Sequence, residues 1–296
     1  MKAKVILILI RTFVRLVSWL PLSTARRLAS GLGSIVWRLP TQMRKVTETN
    51  LALCFPQLSS AEREQLGKQS VKETLKIGFE YGVIWYWSLP RWRSLVTHVS
   101  GWDQVEAAMA QGSGILLLVP HIGNWEMMNI FLSEHTRFMA LFDPPKHSSV
   151  AEGLFAARER VGTDLQPIGM AGLRNVYKAL SSQRIVLVLP DQVPERRAGV
   201  YAPFFNQPAL TMSFGLRILH KNDAKVFCAV VKRVDKGFEI AFETFSDDIY
   251  ATDLATQAAA MNAGIEAAIK KAPAQYQWEY KRFKRQPEGV ADPYKH

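Results

Sequence analysis

From residue 101 onward, short apolar runs alternate with stretches of helical periodicity. Five runs are mostly apolar and are bounded by glycine, proline or polar residues: 115–119, 138–142, 185–189, 226–231 and 238–242. Runs of this length and character predict buried β-strands. Strands that alternate with helices favour a mainly parallel or mixed α/β sheet. Functional sites on such sheets lie in the loops after the C-terminal ends of the strands.

Helical patterns dominate the first hundred residues. Residues 5–22 are mostly apolar and contain two arginines, and residues 28–37 form a second apolar segment rich in small side chains. Ser59 opens a long helical pattern over residues 61–87, with a cap signal at its start. The strongly aromatic segment 79–92 fits either a membrane-interface belt or the core face of that helix.

The segment 5–22 is a candidate membrane anchor. Its 18 residues reach about 27 Å as a helix, slightly less than the roughly 30 Å hydrocarbon core of a bilayer. Arg11 and Arg15 lie on one helix face, and each would cost about 2.5–3.5 kcal/mol at the centre of a span. A helix that lies in the membrane interface avoids this cost by turning both arginines outward. The pattern therefore favours an interfacial or re-entrant anchor over a true span, with an amphipathic helix packed on its own domain as the alternative.

Positive charge is concentrated at the N-terminus. The 296 residues carry a net charge of +11, and the first 50 contain nine basic residues against a single acid, Glu48. Large apolar side chains stand between these basic residues, which is typical of a lipid surface as the anionic partner and not of nucleic acid. We therefore divide the chain into a membrane anchor with a basic juxtamembrane segment (1–50) and a catalytic-sized unit (51–296). A second basic run, 281–285, suits an anionic partner or is a solvated tail.

The composition is that of a globular protein, with 48% hydrophobic and 21% charged residues. It excludes a disordered chain, a collagen-like chain and a polytopic membrane protein. Cys54 and Cys228 are too few for a disulfide framework or a four-cysteine zinc site. A reduced compartment is expected, with both thiols as small core residues.

The densest chemical signal is VPHIGNWE, residues 119–126, which follows a predicted strand and precedes a helical run. Gly123 permits a tight turn and Asn124 is a good N-cap residue, so His121 is expected on a loop and Glu126 in the first helical turn. A turn between them lets the Glu126 carboxylate accept a hydrogen bond from the His121 imidazole, which makes a general base. The alternative is a core histidine satisfied by a nearby carboxylate.

The spacing of a histidine and an acid is a weak signal by itself, because two other histidines also have an acid five residues later. His121 alone also follows a buried run and has a proline, a glycine and a cap residue around it. The sequence has no serine-hydrolase elbow, zinc-protease motif, P-loop or dinucleotide fingerprint. A base without a nucleophile motif predicts direct transfer to an acceptor hydroxyl, with no covalent enzyme intermediate.

Four segments together resemble a known family: 50–62 (NLALCFPQLSSAE), 119–126, 191–211 (DQVPERRAGVYAPFFNQPALT) and 272–287 (APAQYQWEYKRFKRQP). They are similar to the bacterial late acyltransferases of lipid A biosynthesis, the lauroyl and myristoyl transferases, within the lysophospholipid-acyltransferase-like superfamily. The resemblance covers almost the whole chain. It implies a glycerolipid-acyltransferase-like α/β fold, a mixed sheet flanked by helices, with an N-terminal membrane-anchoring helix.

The resemblance also implies a reaction, in which an acyl group moves from acyl-acyl carrier protein to a hydroxyl of a lipid A precursor. His121 matches the family's catalytic base, and Glu126 matches its acidic partner. Candidate substrate-binding or supporting residues, on the same grounds, are Arg158, its near alternative Arg160, Asp191 and Asn124.

The resemblance implies no cofactor and no metal. The expected partners are the acidic acyl carrier protein, the lipid A precursor and the anionic inner membrane, with the enzyme on the cytoplasmic face of that membrane. Glutamate at position 126, where glycerolipid acyltransferases usually carry aspartate, favours the lipid A branch. Two alternatives stay open: an acyltransferase of the same superfamily that acts on a phospholipid or another glycolipid, and a non-catalytic membrane-surface binding protein of the same fold.

Overall fold

The computed structural model describes residues 2–142, 158, 160, 162–167, 169–219 and 222–295. The first hundred residues fold mainly as helices, as their pattern predicts. The helices before the first strand are α1 (Lys2–Ser18), α2 (Leu22–Arg38), α3 (Gln42–Cys54), α4 (Ser60–Tyr86) and α5 (Leu89–Arg93). At the start of α4, Ser59 and Glu62 form a capping box, in which each side chain accepts a hydrogen bond from the other residue's backbone N–H. The predicted cap is therefore confirmed.

A seven-stranded sheet forms the centre of the described chain. Its strands are β1 (Val96–Ser100), β2 (Ile115–Leu118), β3 (Phe138–Phe142), β4 (Asp164–Pro167), β5 (Ile185–Val188), β8 (Lys225–Val234) and β9 (Gly237–Thr244), and a separate antiparallel hairpin consists of β6 (Gly199–Phe204) and β7 (Gln207–Met212). The order is β1-β9-β8-β2-β5-β3-β4. Strands β8 and β9 are antiparallel, and the other neighbouring pairs are parallel. The predicted mixed sheet flanked by helices is confirmed.

Each of the five predicted apolar runs is a strand of this sheet. The two outermost strands, β1 (VTHVS) and β4 (DLQP), have no such signal, and their residues are half-buried or exposed. An edge strand pairs on one side only and is often polar, so hydrophobic periodicity does not reveal it.

Side chains of the central strands alternate between two cores, one on each face of the sheet. The helices that follow the first strand are α6 (Trp102–Ala110), α7 (Met127–His135), α8 (Met170–Ser181), α9 (Leu216–Leu219) and α10 (Leu254–Lys271). Leu116 and Leu118 of β2 pack in the core that includes α8 and α10. Ile115 and Leu117 pack in the opposite core, which includes α6 and α7. Burial on both faces explains why the central strands read as continuous apolar runs.

Both cysteines are core residues, as predicted. Cys54 and Cys228 are free and buried. Burial is the main cause that raises the pKa of the Cys54 thiol and raises that of Cys228 to about 12. The two thiols are therefore protonated and unreactive in the folded protein at neutral pH.

Helix α1 packs on the C-terminal half of α4 and leaves the rest of its surface open. Val14 and Val17 are buried, and at Gly82 the helices come so close that an added Cβ would lie 2.8 Å from the backbone nitrogen of Ser18. Exposed apolar side chains follow one another at helical spacing, and we call them the apolar stripes: Leu9, Phe13 and Leu16 on α1, and Leu28, Leu32 and Ile35 on α2. The helix thus packs on its own domain, as in the alternative prediction, and still presents an apolar stripe to the outside. Across the described ranges, we find no helix that is both long enough and apolar enough to cross a bilayer.

The aromatic segment 79–92 contributes two tryptophans to the core. Trp87 is 8% exposed and Trp92 is 2% exposed, and both belong to the core that contains α6 and α7. Trp87 directly follows α4 and Trp92 is on α5, while Tyr81 and Trp85 of α4 are partly buried against the same core. Of the two predicted roles, a core role accounts for Trp87 and Trp92.

Basic residues from both predicted anionic-partner segments are buried. Arg26 forms an ion pair with Glu80 of α4, with 2.7 Å between Nε and Oε1. Arg282, within the run 281–285, is 2% exposed and donates to the carbonyl oxygen of Leu210. These two cations stabilise the fold and are not available to an external anion.

Candidate active site

The loop after β2 carries the predicted motif across the C-terminal edge of the sheet and into α7. Gly123 has a φ of +63°, and an added Cβ would lie 1.9 Å from the carbonyl oxygen of Val231, so glycine is required at this turn. The N-cap prediction for Asn124 is wrong, because Glu126 takes the N-cap position of α7. The Asn124 amide instead donates to Glu80 in the core. Asn124 has no exposed surface.

His121 is held through its ring and its backbone by one carboxylate. Nδ1 lies 2.7 Å from Oδ1 of Asp191, and the backbone N–H donates to Oδ2 at 2.8 Å. Asp191 follows β5, which pairs with β2 in parallel, so the loops after two neighbouring strands bring these residues together. A carboxylate that accepts from Nδ1–H fixes the imidazole tautomer that has a lone pair on Nε2. Nε2 lies 3.2 Å from the amide nitrogen of Gln192, an exposed residue, and the His121 side chain is itself 9% exposed.

Asp191 is a carboxylate at neutral pH. Burial by itself would raise the pKa of this side chain, which is 3% exposed. The charge of His121 and hydrogen bonds from its ring and backbone N–H outweigh burial, and they hold the pKa of Asp191 below its ordinary value. Asp191 can therefore balance the charge of an imidazolium when His121 takes up a proton.

The predicted hydrogen bond between His121 and Glu126 is not formed. Glu126 accepts instead from Arg158, whose Nε and Nη2 lie 3.1 and 2.5 Å from its two carboxylate oxygens. Burial alone would lower the pKa of Arg158, but the charge of Glu126, the hydrogen bond to it and the charge of Tyr81 together outweigh burial and raise that pKa. The reason for the difference is geometric: the guanidinium fork matches a carboxylate with two bonds, and Asp191 already occupies Nδ1 of His121.

The two candidate arginines have different neighbours. Arg158 contacts the motif, whereas Arg160 donates to the carbonyl oxygen of Ile84 at 2.9 Å. That carbonyl belongs to the last turn of α4, where helix carbonyls lack partners within the helix. Tyr81 of α4 is half-buried, and its pKa is raised first by burial and then by the negative charge of Glu126. Helix α4 therefore forms the wall of the site beside the Glu126–Arg158 pair.

Comparison with known proteins gives the chain a family. A model of the bacterial lipid A biosynthesis acyltransferases matches residues 2–285. The chain belongs to this family. The predicted resemblance is therefore confirmed.

This acyltransferase is 28% identical to the lipid A biosynthesis palmitoleoyltransferase of Escherichia coli (strain K12) over 269 residues, which are 90% of this chain and 87% of that protein. It is also 28% identical to the lipid A biosynthesis lauroyltransferase of the same organism over 288 residues, 94% of this chain and 91% of that protein. A phosphatidylinositol mannoside acyltransferase of Mycobacterium tuberculosis (strain ATCC 25618 / H37Rv) is 31% identical over 121 residues, 39% of this chain and 38% of that protein.

Three residues of the acyltransferase site have no counterpart in the sequence prediction. Gln192 faces Nε2 of His121, the backbone N–H of Gln277 donates to the His121 carbonyl oxygen at 3.2 Å, and Glu80 accepts from Asn124 at 2.8 Å. A usable signal exists for Glu80, which is the sole acid in the aromatic segment 79–92. An acid among large apolar residues marks either a buried ion pair or a site.

Proposed function

We propose that this chain transfers a fatty acyl group from acyl-acyl carrier protein to a hydroxyl of a lipid A precursor, in late acylation. The observation that carries the proposal is the His121–Asp191 pair, which leaves the lone pair of Nε2 on His121 beside the exposed residue Gln192. The family match along residues 2–285 supports acyl transfer as the chemistry that this base serves.

In the proposed reaction the acceptor hydroxyl donates its proton to Nε2 of His121 while its oxygen attacks the thioester carbonyl carbon. The tetrahedral intermediate then collapses, the C–S bond breaks, and the leaving thiolate takes the proton from Nε2. The new ester C–O bond remains on the acceptor. Asp191 fixes the tautomer that accepts the first proton and stabilises the imidazolium between the two transfers.

Glu126 and Arg158 are proposed to act as a unit. Glu126 binds two nitrogens of the guanidinium and so fixes its orientation. A fixed cation beside the motif loop is suited to stabilise the oxyanion that develops on the thioester carbonyl. Glu126 then contributes to catalysis through Arg158 and not as the direct partner of His121.

The Glu126→Gln variant is expected to lose both stability and activity. It leaves the Arg158 guanidinium, whose side chain is 16% exposed, without its counter-charge. Breaking such a buried pair costs about 3–5 kcal/mol in the free energy of unfolding, and loss of an oxyanion donor's orientation lowers kcat about 10²-fold or more. Denaturant unfolding and kcat measure the two effects. The double variant Glu126→Gln, Arg158→Gln should regain stability but not activity; full activity in the single variant would contradict the proposed unit.

We also propose that α1 and α2 dock the enzyme on the anionic inner membrane from its cytoplasmic side. The apolar stripes offer side chains that burial in lipid would stabilise, and Arg11, Arg15 and Arg27 are exposed on the same two helices. Helix α1 packs on the half of α4 that contains Tyr81, and Tyr81 interacts with Glu126. The docking surface therefore adjoins the wall of the candidate site.

A charge on the docking surface is expected to weaken membrane binding. In the double variant Leu9→Glu, Leu16→Glu, two side chains of the stripe on α1 that are 62% and 53% exposed become acidic. Each large apolar side chain contributes about 1.5–3 kcal/mol when buried, so binding to vesicles that contain anionic lipid should fall at least about tenfold. Co-sedimentation measures the binding, and Val290→Glu, at a 51% exposed apolar position outside α1 and α2, is the control. Equal binding by all three proteins would rule out this surface.

The donor and the acceptor are tested with the purified full-length chain in mixed micelles. A lipid A precursor that lacks secondary acyl chains is incubated with acyl-acyl carrier protein or with acyl-coenzyme A, and product mass is read by mass spectrometry. The proposal expects the mass gain of one ester-linked acyl chain, faster from the carrier protein. Equal rates from both donors would show that the reaction does not depend on the carrier protein.

A second candidate acceptor is another glycolipid or a phospholipid, favoured by the partial likeness to a phosphatidylinositol mannoside acyltransferase. Mass spectrometry of lipid A from a strain that lacks this protein separates the candidates. Loss of one acyl chain supports lipid A as the acceptor, and an unchanged acylation pattern would leave the second candidate.

A further inference from the structure

Behind the motif loop, a buried carboxylate on α4 joins several elements of the fold. Glu80 has no exposed surface. Its Oε1 accepts from Nε of Arg26 at 2.7 Å, and its Oε2 accepts from Nε of Arg233 at 2.8 Å and from Nδ2 of Asn124 at 2.8 Å. A carboxylate this deep is tolerated only when it is paired and hydrogen-bonded, and these three donors meet that need.

The two arginines that bind Glu80 are themselves fixed. Arg26, on α2, donates to the carbonyl oxygens of Val234 and Gly237 at 2.6 and 3.0 Å. Arg233, on β8, is held by the side chain of Gln275 through both its backbone N–H and its carbonyl oxygen, at 2.7 and 2.9 Å. Glu80 of α4 is therefore held in a fixed position by arginines of α2 and β8.

Asn124 connects Glu80 to the candidate active site. It stands in the loop between His121 and Glu126, and its own backbone N–H donates to the carbonyl oxygen of Val231 at 3.0 Å. The preceding residue, Gly123, donates to the carbonyl oxygen of Gln275 at 2.9 Å. Gly123 and Asn124 thus bind the loop to the core, and His121 and Glu126, on either side of them, are the two predicted catalytic residues.

We propose that Glu80 and Asn124 are positioning residues for the loop that bears His121 and Glu126, an inference that rests on the proposed function. Arg26 and Arg233 already neutralise Glu80, so the bond to Asn124 is not needed to balance its charge. The effect of that bond falls on the loop, because it fixes where the chain turns between the two side chains. Neither residue touches substrate, and both act through His121 and Glu126. Small displacements of such groups are enough to lower kcat strongly.

The test uses Asn124→Ala in the full-length chain, because this variant removes the bond and leaves Glu80 with both arginines. We expect kcat to fall about 10- to 100-fold, with KM for donor and acceptor within about threefold, since no substrate contact is lost. The matched control is Asn262→Ala: Asn262 is equally buried and donates to the carbonyl oxygen of Pro203 and to Thr211, away from the loop. A kcat per folded enzyme that equals the wild-type value in Asn124→Ala would overturn the proposal.

An exchange of the two side chains separates positioning from folding. The Glu80→Gln variant alone places two amide side chains at this contact. The Asn124→Asp variant alone places two carboxylates there. The double variant keeps one amide, one carboxylate and one negative charge, and the amide at position 80 then donates to the carboxylate at position 124. Arg26 keeps an acceptor oxygen at position 80, and Arg233 loses its own in the double variant and in Glu80→Gln alike, so this loss cancels from the comparison. We expect kcat of the double variant to exceed the product of the two single effects by about fivefold or more, a coupling typical of groups in contact. Strictly multiplicative single effects would count against the bond as the cause.

A readout independent of activity keeps this inference apart from the proposed function. In Asn124→Ala, hydrogen exchange at the backbone N–H groups of residues 123 and 124 is expected to speed up at least about tenfold. The backbone N–H groups of β5 and α10 should keep their wild-type exchange rates. Unchanged exchange in the loop would refute positioning even in an active enzyme. The two proposals can also fail separately in the other direction. If the wild type transfers no acyl group, the proposed reaction is refuted, and faster exchange in Asn124→Ala would still support the positioning.

Discussion

Acyl transfer by the His121→Ala variant is expected to be about 10²- to 10⁴-fold slower than by the wild type, the range that a positioned general base contributes. The loss should appear in kcat, because Nε2 of His121 acts on the hydroxyl proton in the transition state. The measurement is the rate of ester formation from acyl-acyl carrier protein, followed by mass spectrometry.

Unfolding must be measured beside the rate, because this substitution leaves the buried Asp191 carboxylate without its ring partner. An unpaired buried group of this kind costs about 1–3 kcal/mol, so the variant should be less stable but still folded. The matched control is His98→Ala, because His98 is an exposed histidine on β1. If His121→Ala keeps a rate within about threefold of the wild type, far less than a base contributes, His121 is the core histidine of the alternative interpretation.

The strands and the long helix are features that local sequence determines. Continuous burial of β2 and β5 requires apolar side chains on both faces, and this leaves an unmistakable run in the sequence. The capping box at Ser59 is equally local, since its two side chains are three residues apart. Strands β1 and β4 escape prediction because an edge position accepts polar residues, and their pairing partners are distant in the chain.

The partner of His121 could not be predicted from spacing. Glu126 lies five residues away in the sequence, whereas Asp191 lies 70 residues away and arrives beside His121 only because β5 pairs with β2. The sequence resemblance places Asp191 among the supporting residues, but not on the imidazole. A local motif identifies which loop carries the chemistry, and the order of the strands decides which acid completes the base.

The helices at the N-terminus illustrate a different limit. The sequence of α1 supports a membrane anchor and a helix packed on its own domain as separate alternatives, yet the helix buries Val14 and Val17 and still exposes Leu9, Phe13 and Leu16. Amphipathic spacing shows that two faces exist but not what covers each of them. The face with Val14 and Val17 is covered by α4, which α1 approaches closely at Gly82. For the exposed face we propose a lipid surface.

The Asp191→Asn variant is expected to fold and to lose about 10³-fold or more in kcat, because an amide can satisfy Nδ1 with the wrong tautomer. An amide N–H that donates to Nδ1 moves the ring proton to Nε2, and Nε2 then has no lone pair for the acceptor hydroxyl. The amide also lacks the charge that stabilises the imidazolium. KM should change little, so the split between kcat and KM is the measurement. Activity within about tenfold of the wild type would mean that something other than this carboxylate fixes the tautomer.

The same substitution makes a prediction about acid stability. Since the pKa of Asp191 is lower in the folded protein than its ordinary value of about 3.9, its charge stabilises the fold above that pH, and the contribution is lost as pH falls through the folded pKa. The difference in free energy of unfolding between wild type and Asp191→Asn should therefore be constant near neutrality and shrink below about pH 4. Asp253 also has a lowered pKa, as the N-cap of α10 that accepts from Thr256, but it lies away from His121. Asp253→Asn should thus share the change in acid stability and keep its kcat, which assigns the catalytic loss in Asp191→Asn to the imidazole and not to the removal of a carboxylate.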